Sequence, residues 1–287
     1  MALIFRRMVI AGVGLIGGSL ALAARERGLV EEVIGHGRGE KNLRVALKKG
    51  MIDAYFLNPE EIPQQTDILV LGTPVQSTAP LTEEFSPHLE PGCLVSDVGS
   101  VKAEVVRDME KLLPRGIPFV GAHPIAGGEQ WGAEAARGNL FIGQRCILTP
   151  TRNTDAAALK KVSALWRKVG AKVEELDPEV HDKILGLVSH LPHVLVYALV
   201  NLMNRAKVDS TDVIEYCGGG FKDFTRIASS RPELWRDICL LNRRAVSKGL
   251  GDYIRSLERL KRQIDKGHGA ALEREFALAN EARRRIS

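Results

Sequence analysis

Apolar positions follow two different patterns along this chain. Up to residue 176 they come as short unbroken runs: MVIAG from Met8, VEEVIGHG from Val30, TDILVLGTPV from Thr66, GCLVSDVGSVK from Gly92, IPFVGAHP from Ile117, RCILTP from Arg145 and AKVEEL from Ala171. Runs of this length, rich in Val, Ile and Leu and closed by Gly, Pro or small polar residues, predict strands buried on both faces of a parallel sheet. Helical spacing appears between them, in the alanine-rich stretch ending at Gly28 and from Asp155 to Val169. The alternation predicts an α/β domain over residues 1–176. From Asp177 no strand pattern remains. DPEVHDKILGLVSHLPHVLVYALVNLMNR is apolar on most sides and broken only by Pro192, which predicts a kinked central helix in an all-helical domain, residues 177–287. So apolar a helix calls for several neighbours, and a second copy of the chain, a homodimer, would supply some of them.

The first turn carries chemistry. Strand MVIA runs into Gly12-x-Gly14-x-x-Gly17, with Leu15 and Ile16 opening the helix that follows. Gly12 permits the sharp turn, Gly14 lets the backbone approach a pyrophosphate, and Gly17 lets the helix lie close on the strand; the helix N-terminus offers free N–H groups to the anion. With a second strand behind it, this motif predicts a Rossmann-like dinucleotide-binding domain. An acid at the end of that second strand would hold the ribose hydroxyls of NAD, but the chain reads Gly35-His36-Gly37-Arg38 and has no acid until Glu40. Arg38 suits a 2′-phosphate or an adenine face, or is an exposed loop arginine; on this residue NADP is slightly favoured over NAD. Ligands of an open parallel sheet lie beyond the carboxyl ends of its strands, so Thr73, Pro74, Asp97, Ser100 and Lys102 fall on the cofactor side, and IPFV delivers His123 to the same edge.

Composition narrows the class. At 287 residues, 45% hydrophobic and 26% charged, the chain has the make-up of a water-soluble globular protein. The formal charge of +5 is concentrated in RLKRQ and ARRRIS near the C-terminus, without interleaved aromatics, and reads as a solvated helix face and not as a nucleic-acid surface. MALIFRR places its charges after its apolar residues, unlike a signal peptide, and apolar stretches are interrupted before the roughly 20 residues of a membrane span, so a cytoplasmic location without membrane contact is expected. Cys93, Cys146, Cys217 and Cys239 form no C-x-x-C pair, and His190 and His193 lack a third ligand at a suitable spacing, so no metal site is expected.

Five stretches, GVGLIGGSLA, SDVGSVK, GAHPIAGGE, HDKILGLVSHLPH and GGGFKDFTRIA, stand in the order and at about the spacing of the prephenate and arogenate dehydrogenases of tyrosine biosynthesis, which the chain resembles over nearly its whole length. The resemblance implies a nucleotide domain followed by a dimerising helical domain, an active site in the cleft between them, and an NAD(P)-dependent oxidative decarboxylation that turns a cyclohexadiene into a phenol. It assigns His123 as the acceptor for the substrate 4-hydroxyl, and Ser100 as a contact of that hydroxyl or of the histidine. From the residues alone, Ser100 serves equally well as the cap of a helix starting at Val101. Arg226 matches the arginine that holds a substrate carboxylate, with Asp223 on the same helical face to orient it. His193 and Trp235 match positions lining the pocket, His190 is commonly structural, and Glu129 matches an acid at the cleft entrance, where it limits access or only faces water. Prephenate and arogenate, keto and amino forms, are both covered. Beta-hydroxyacid dehydrogenases share the architecture but depend on a lysine where this chain has Ser189-His190-Leu191-Pro192-His193; a non-catalytic dinucleotide sensor is the third reading. No appended regulatory domain is expected, and on that expectation feedback by tyrosine would have to act at the active site.

Overall fold

The computed structural model describes residues 3–128 and 130–286. Its first part comprises β1 (Phe5–Ala11), α1 (Leu15–Glu26), β2 (Val30–His36), α2 (Glu40–Lys48), β3 (Ala54–Phe56), β4 (Ile68–Leu71), α3 (Thr78–Phe85), β5 (Leu94–Asp97), α4 (Ala103–Leu112) and β6 (Phe119–Val120). These six strands form one parallel sheet in the order β3-β2-β1-β4-β5-β6. The order reverses between β1 and β4, which opens a crevice beyond their carboxyl ends. Strand periodicity divides the core in two: Met8 and Ile10 pack with Leu20, Ala24 and Trp166 on one face, and Val9 and Ala11 with Phe85, Val105 and Met109 on the other.

Chain after Val120 departs from the expected pattern. IPFVGAHP, read as one strand, divides at Gly121, where a Cβ would come within 2.4 Å of Thr149 Oγ1. The segment beyond it, β7 (Ala122–Pro124), pairs antiparallel with β8 (Arg145–Leu148), and β8 pairs parallel with β9 (Lys172–Glu175). RCILTP and AKVEEL therefore build a separate three-stranded sheet and do not extend the main one. Between β8 and β9 runs α5 (Ala156–Lys168), capped by Asp155, whose carboxylate accepts Ala158 N at 2.7 Å.

The second part opens with Asp177, which caps α6 (Pro178–Leu185) by accepting Glu179 N and Val180 N at 2.9 and 3.1 Å. A widened turn, Gly186–His190, joins α6 to α7 (Leu191–Arg205). This π-type turn is the form taken by the irregularity expected at Pro192, because proline supplies no N–H for a regular helical bond. A two-residue hairpin, β10 (Lys207–Val208) with β11 (Thr211–Asp212), follows where no strand was expected; its turn residues Asp209 and Ser210 have φ of 48° and 70°. Then come α8 (Gly219–Thr225), α9 (Pro232–Leu241), α10 (Arg243–Asp265) and α11 (Gly269–Arg284).

The continuous helix Pro178–Arg205 is long and apolar enough, by length and composition, to cross a membrane, which corrects the expectation that charge or glycine interrupts every such stretch. Its buried positions include His181, Asp182 and His190, polar side chains packed inside the protein. Within one chain it is not enclosed: Leu187, Val188 and Leu202 are 53%, 68% and 60% exposed.

Candidate active site

The turn between β1 and α1 has the shape its glycines suggest. Gly12 sits at φ 97°, and a Cβ there would lie 2.6 Å from the Gly72 carbonyl carbon; a Cβ on Gly17 would lie 2.4 Å from Gly12 O. Around Gly14 there is open space, and α1 begins with no side chain capping its N–H groups at Leu15 and Ile16. Thr73, followed by the exposed Pro74 beyond β4, has its Oγ1 buried without a hydrogen-bond partner. An uncapped helix start, an unobstructed glycine and an unpartnered hydroxyl fit a dinucleotide's phosphates and sugar. At the end of β2, His36 is buried against Phe56 and Phe85, with ring centroids 5.1 and 5.0 Å away, and Nε2 meets Leu57 O at 3.1 Å. Arg38 stands exposed beyond it.

Asp97 and Lys102 do not face the crevice as expected. Both are fully buried: the Lys102 ammonium donates to the Asp97 carboxylate and to Ala122 O, the latter at 3.0 Å. Asp97 in turn accepts Ala122 N at 3.1 Å. The pair thus grips both backbone polar groups of the residue before His123 and fixes where the histidine emerges. Ser100, half-buried in the turn after β5, is not the cap of the following helix. That helix starts at Ala103, and its first N–H groups are taken by a residue from the second domain: Asp182 accepts Lys102 N through Oδ1 at 2.8 Å and Ala103 N through Oδ2 at 2.9 Å.

His123 is 8% exposed, and its Nδ1 lies 2.8 Å from His181 Nε2. His181 Nδ1 lies 2.8 Å from Asp182 Oδ1. Burial, reinforced by His181 and the nearby Lys102 ammonium, holds the conjugate acid of His123 well below the ordinary imidazole range, so the ring is neutral at neutral pH. No hydrogen bond to its Nε2 is formed among the described residues. A neutral imidazole edge at the carboxyl end of a dinucleotide fold can accept a proton from a bound hydroxyl.

On the helical side, His193 stacks on Trp235, with its Nδ1 2.9 Å from Ser189 O. His190 is buried beside them; Asn242 Nδ2 donates to Asp182 O at 2.7 Å and meets His190 Nδ1 at 3.0 Å. Burial lowers the His190 pKa to about 4. His190 Nε2 and Trp235 Nε1 are buried without partners. Arg226 opens a tight turn, Arg226–Ser229, just after α8. Asp223 and Arg226 are therefore split by a helix end, not carried on one continuous helical face; both are exposed. Tyr197 OH donates to Ser230 O at 2.7 Å and ties this turn to α7. The glycine loop after His123 reaches the same domain through Trp131, over whose ring the Arg231 guanidinium sits at 5.4 Å. Glu129 lies outside the described residues.

His181 and Asp182 begin the stretch HDKILGLVSHLPH, but neither the residue pattern nor the resemblance assigns them a role. The available signal was a His-Asp pair in the first turns of a helix capped by Asp-Pro, on the side that turns out to be buried. A separate cleft of about 600 Å³ among α4, α6 and α10, lined in part by Arg107, Lys183 and Arg243, does not include His123, Arg226 or Trp235. Among the described residues, no group of His, Cys, Asp and Glu is placed to hold a metal ion.

Comparison with known proteins agrees with this geometry. Residues 20–175 match the family described as prephenate dehydrogenase, nucleotide-binding domain, and residues 177–278 match prephenate dehydrogenase, dimerization domain. A cyclohexadienyl dehydrogenase of Zymomonas mobilis is 32% identical over 98% of this chain and 96% of its own. The crystal structure of a prephenate dehydrogenase from A. aeolicus in complex with hydroxyphenyl propionate and NAD+ superposes with a TM-score of 0.95 at 37% identity, covering 100% of both chains. An arogenate dehydrogenase from Synechocystis superposes with a TM-score of 0.83 at 30% identity, covering 98% of this chain and 100% of the other. A nucleotide domain with an open glycine turn, a neutral histidine at its sheet edge and a helical domain closing over it are thus found together in a chain that belongs to the prephenate dehydrogenase family.

Proposed function

We propose that this protein catalyses the NAD(P)+-dependent oxidative decarboxylation of prephenate to 4-hydroxyphenylpyruvate, of arogenate to tyrosine, or of both, with the chain divided at Leu176/Asp177 into cofactor and substrate domains. The observation that carries the reading is the neutral, buried His123 ring, whose Nε2 edge is left to a ligand between the two domains. The bound nicotinamide supplies the hydride acceptor. His123 Nε2 takes the proton of the substrate 4-hydroxyl as the hydride leaves the same carbon, and gives it back to the phenol oxygen once loss of CO2 has made the ring aromatic. Arg226, with its planar fork of donors, holds a carboxylate of the substrate, and Asp223 biases its position. The stacked His193 and Trp235 form a flat wall for the ring. Ser100 assists at the hydroxyl or the histidine, a role left open to it once Asp182 supplies the helix cap.

Gly12, Gly14, Leu15, Ile16 and Gly17 cradle the pyrophosphate, with Thr73 and Pro74 alongside, and Arg38 with no acid at the end of β2 suits NADP+ over NAD+. Exposed apolar residues on the widened turn and α7 fit a homodimer. A diffusible nicotinamide cofactor and small biosynthetic substrates support a cytoplasmic location for the proposed reaction. The test is an assay of each substrate with each cofactor, followed by absorbance of the reduced nicotinamide. Turnover in at least one combination is expected, and cofactor binding without turnover in all four would replace the enzyme by a sensor.

A further inference from the structure

The geometry points to His181 and Asp182 as positioning residues that set which nitrogen of His123 carries its proton, an inference that rests on the reading of His123 as the proton acceptor. Three buried groups stand in line: Asp182 Oδ1, the His181 ring and the His123 ring, joined by contacts of 2.8 Å at each step. Exposure of the three is 5%, 0% and 8%. Water therefore has little access to the line, and the protein's own donors and acceptors decide its protonation pattern.

The pattern follows from one end. Both oxygens of Asp182 already accept backbone N–H groups, Lys102 N on Oδ1 and Ala103 N on Oδ2. Toward His181 the carboxylate can then only accept, so His181 Nδ1 must carry a proton. In neutral His181 this leaves Nε2 as a bare acceptor. The 2.8 Å contact to His123 requires one donor, so His123 Nδ1 carries the proton and donates. His123 Nε2 is then bare, on the atom that has no bond within the described residues. Each step removes one of two tautomers, and only the carboxylate at the far end breaks the symmetry.

Two further groups hold the line rigid. Asn242 fixes the Asp182 carbonyl at 2.7 Å, and the Lys102–Asp97 pair holds Ala122 beside His123. Because Asp182 belongs to the helical domain and caps the first turn of α4 in the nucleotide domain, the tautomer is correct only when the two domains are docked. The same contact that joins the domains therefore prepares the base. An aspartate that holds a histidine in its working tautomer without itself exchanging the proton has a known counterpart in the serine protease triad; here a second imidazole is inserted between the two.

The test reads the tautomer directly and then its consequence. Nitrogen-15 spectra of the histidine-labelled enzyme, with His123 assigned by the resonances lost in His123→Asn, are expected to show protonated Nδ1 and unprotonated Nε2. A proton on His123 Nε2, as an imidazolium at His181 would impose, overturns the inference, and this reading needs neither substrate nor turnover. In kinetics, His181→Phe removes the acceptor while keeping a ring, and should lower kcat by about 10²–10⁴-fold, the usual worth of general acid–base catalysis, with the KM for cofactor little changed. His181→Gln restores an acceptor for His123 Nδ1 and should recover part of the loss. In a His123→Asn background the His181→Phe loss should vanish, because the two act as one unit. An undiminished loss in that background would reduce His181 to a packing residue. Absence of turnover in the wild-type enzyme would instead count against the proposed reaction and leave the tautomer result standing.

Discussion

His193 lies flat against Trp235, with ring centroids 3.4 Å apart and planes 18° from parallel. The two belong to α7 and α9, so the stack joins separate helices and gives the helical domain one rigid aromatic surface. Replacing Trp235 with Leu keeps apolar bulk but removes the stack, worth about 0.5–1.5 kcal/mol. The KM for substrate should rise roughly 2- to 10-fold with the KM for cofactor unchanged. Equal rises in both would mean the stack serves domain structure and not the pocket.

Asp97 and Lys102 are a fully buried ion pair, so removing one partner strands a charge. Asp97→Ala should cost about 3–5 kcal/mol of stability, read by denaturant unfolding. Asp97→Leu combined with Lys102→Met should recover much of it, since neither charge remains. Activity should not return with stability, because Ala122 loses its side-chain anchors and His123 its fixed position.

Burial lowers the pKa values of His36, His123, His190 and His193, the last two partly offset by Asp182 and by the Ser189 carbonyl. Below the unfolded value of about 6.5 the unfolded chain binds protons that the native chain refuses. Stability from these groups is thus complete above that pH and is lost as pH falls, for His190 down to about 4. The melting temperature should be flat above pH 7 and drop steadily on acidification to pH 5. For catalysis, the acid limb of kcat/KM should fall below the ordinary histidine range; a limb at or above it would contradict a buried, neutral His123.

Arg38 is exposed after β2, where no acid stands to repel a 2′-phosphate. Arg38→Ala should raise the KM for NADP+ about 10-fold, as expected for loss of one exposed phosphate contact, and leave that for NAD+ within about 2-fold. Parallel changes for the two cofactors would point to adenine stacking instead.

Val188, on the widened turn, sits among apolar neighbours and is left 68% exposed by the described residues of its own chain. Light scattering should give twice the chain mass for the native protein, and Val188→Glu should shift the population toward monomer. A monomeric wild type at micromolar concentration would remove the dimer.

Much of the architecture was legible because its signals are local. Strand runs, the Gly12, Gly14 and Gly17 spacing and the loss of strand pattern after Leu176 each depend on residues within one element and its neighbours. The division of IPFVGAHP was not, since only the approach of Thr149 to Gly121 reveals that the strand must break there. His123 stood out as a candidate from its loop and the resemblance. Its partner did not: His181 lies 58 residues on, and Asp182 reaches α4 from 80 residues away.

The sequence by itself determined most of the element types and the dinucleotide turn, and it singled out His123 as a candidate, because periodicity and backbone freedom are properties of short stretches. Only the tertiary structure decided that Lys102 and Asp97 turn inward, that Asp182 and not Ser100 caps α4, and that His181 meets His123. Those outcomes rest on donors and acceptors far apart in the chain, each of which, once buried, must find a partner wherever the fold places one.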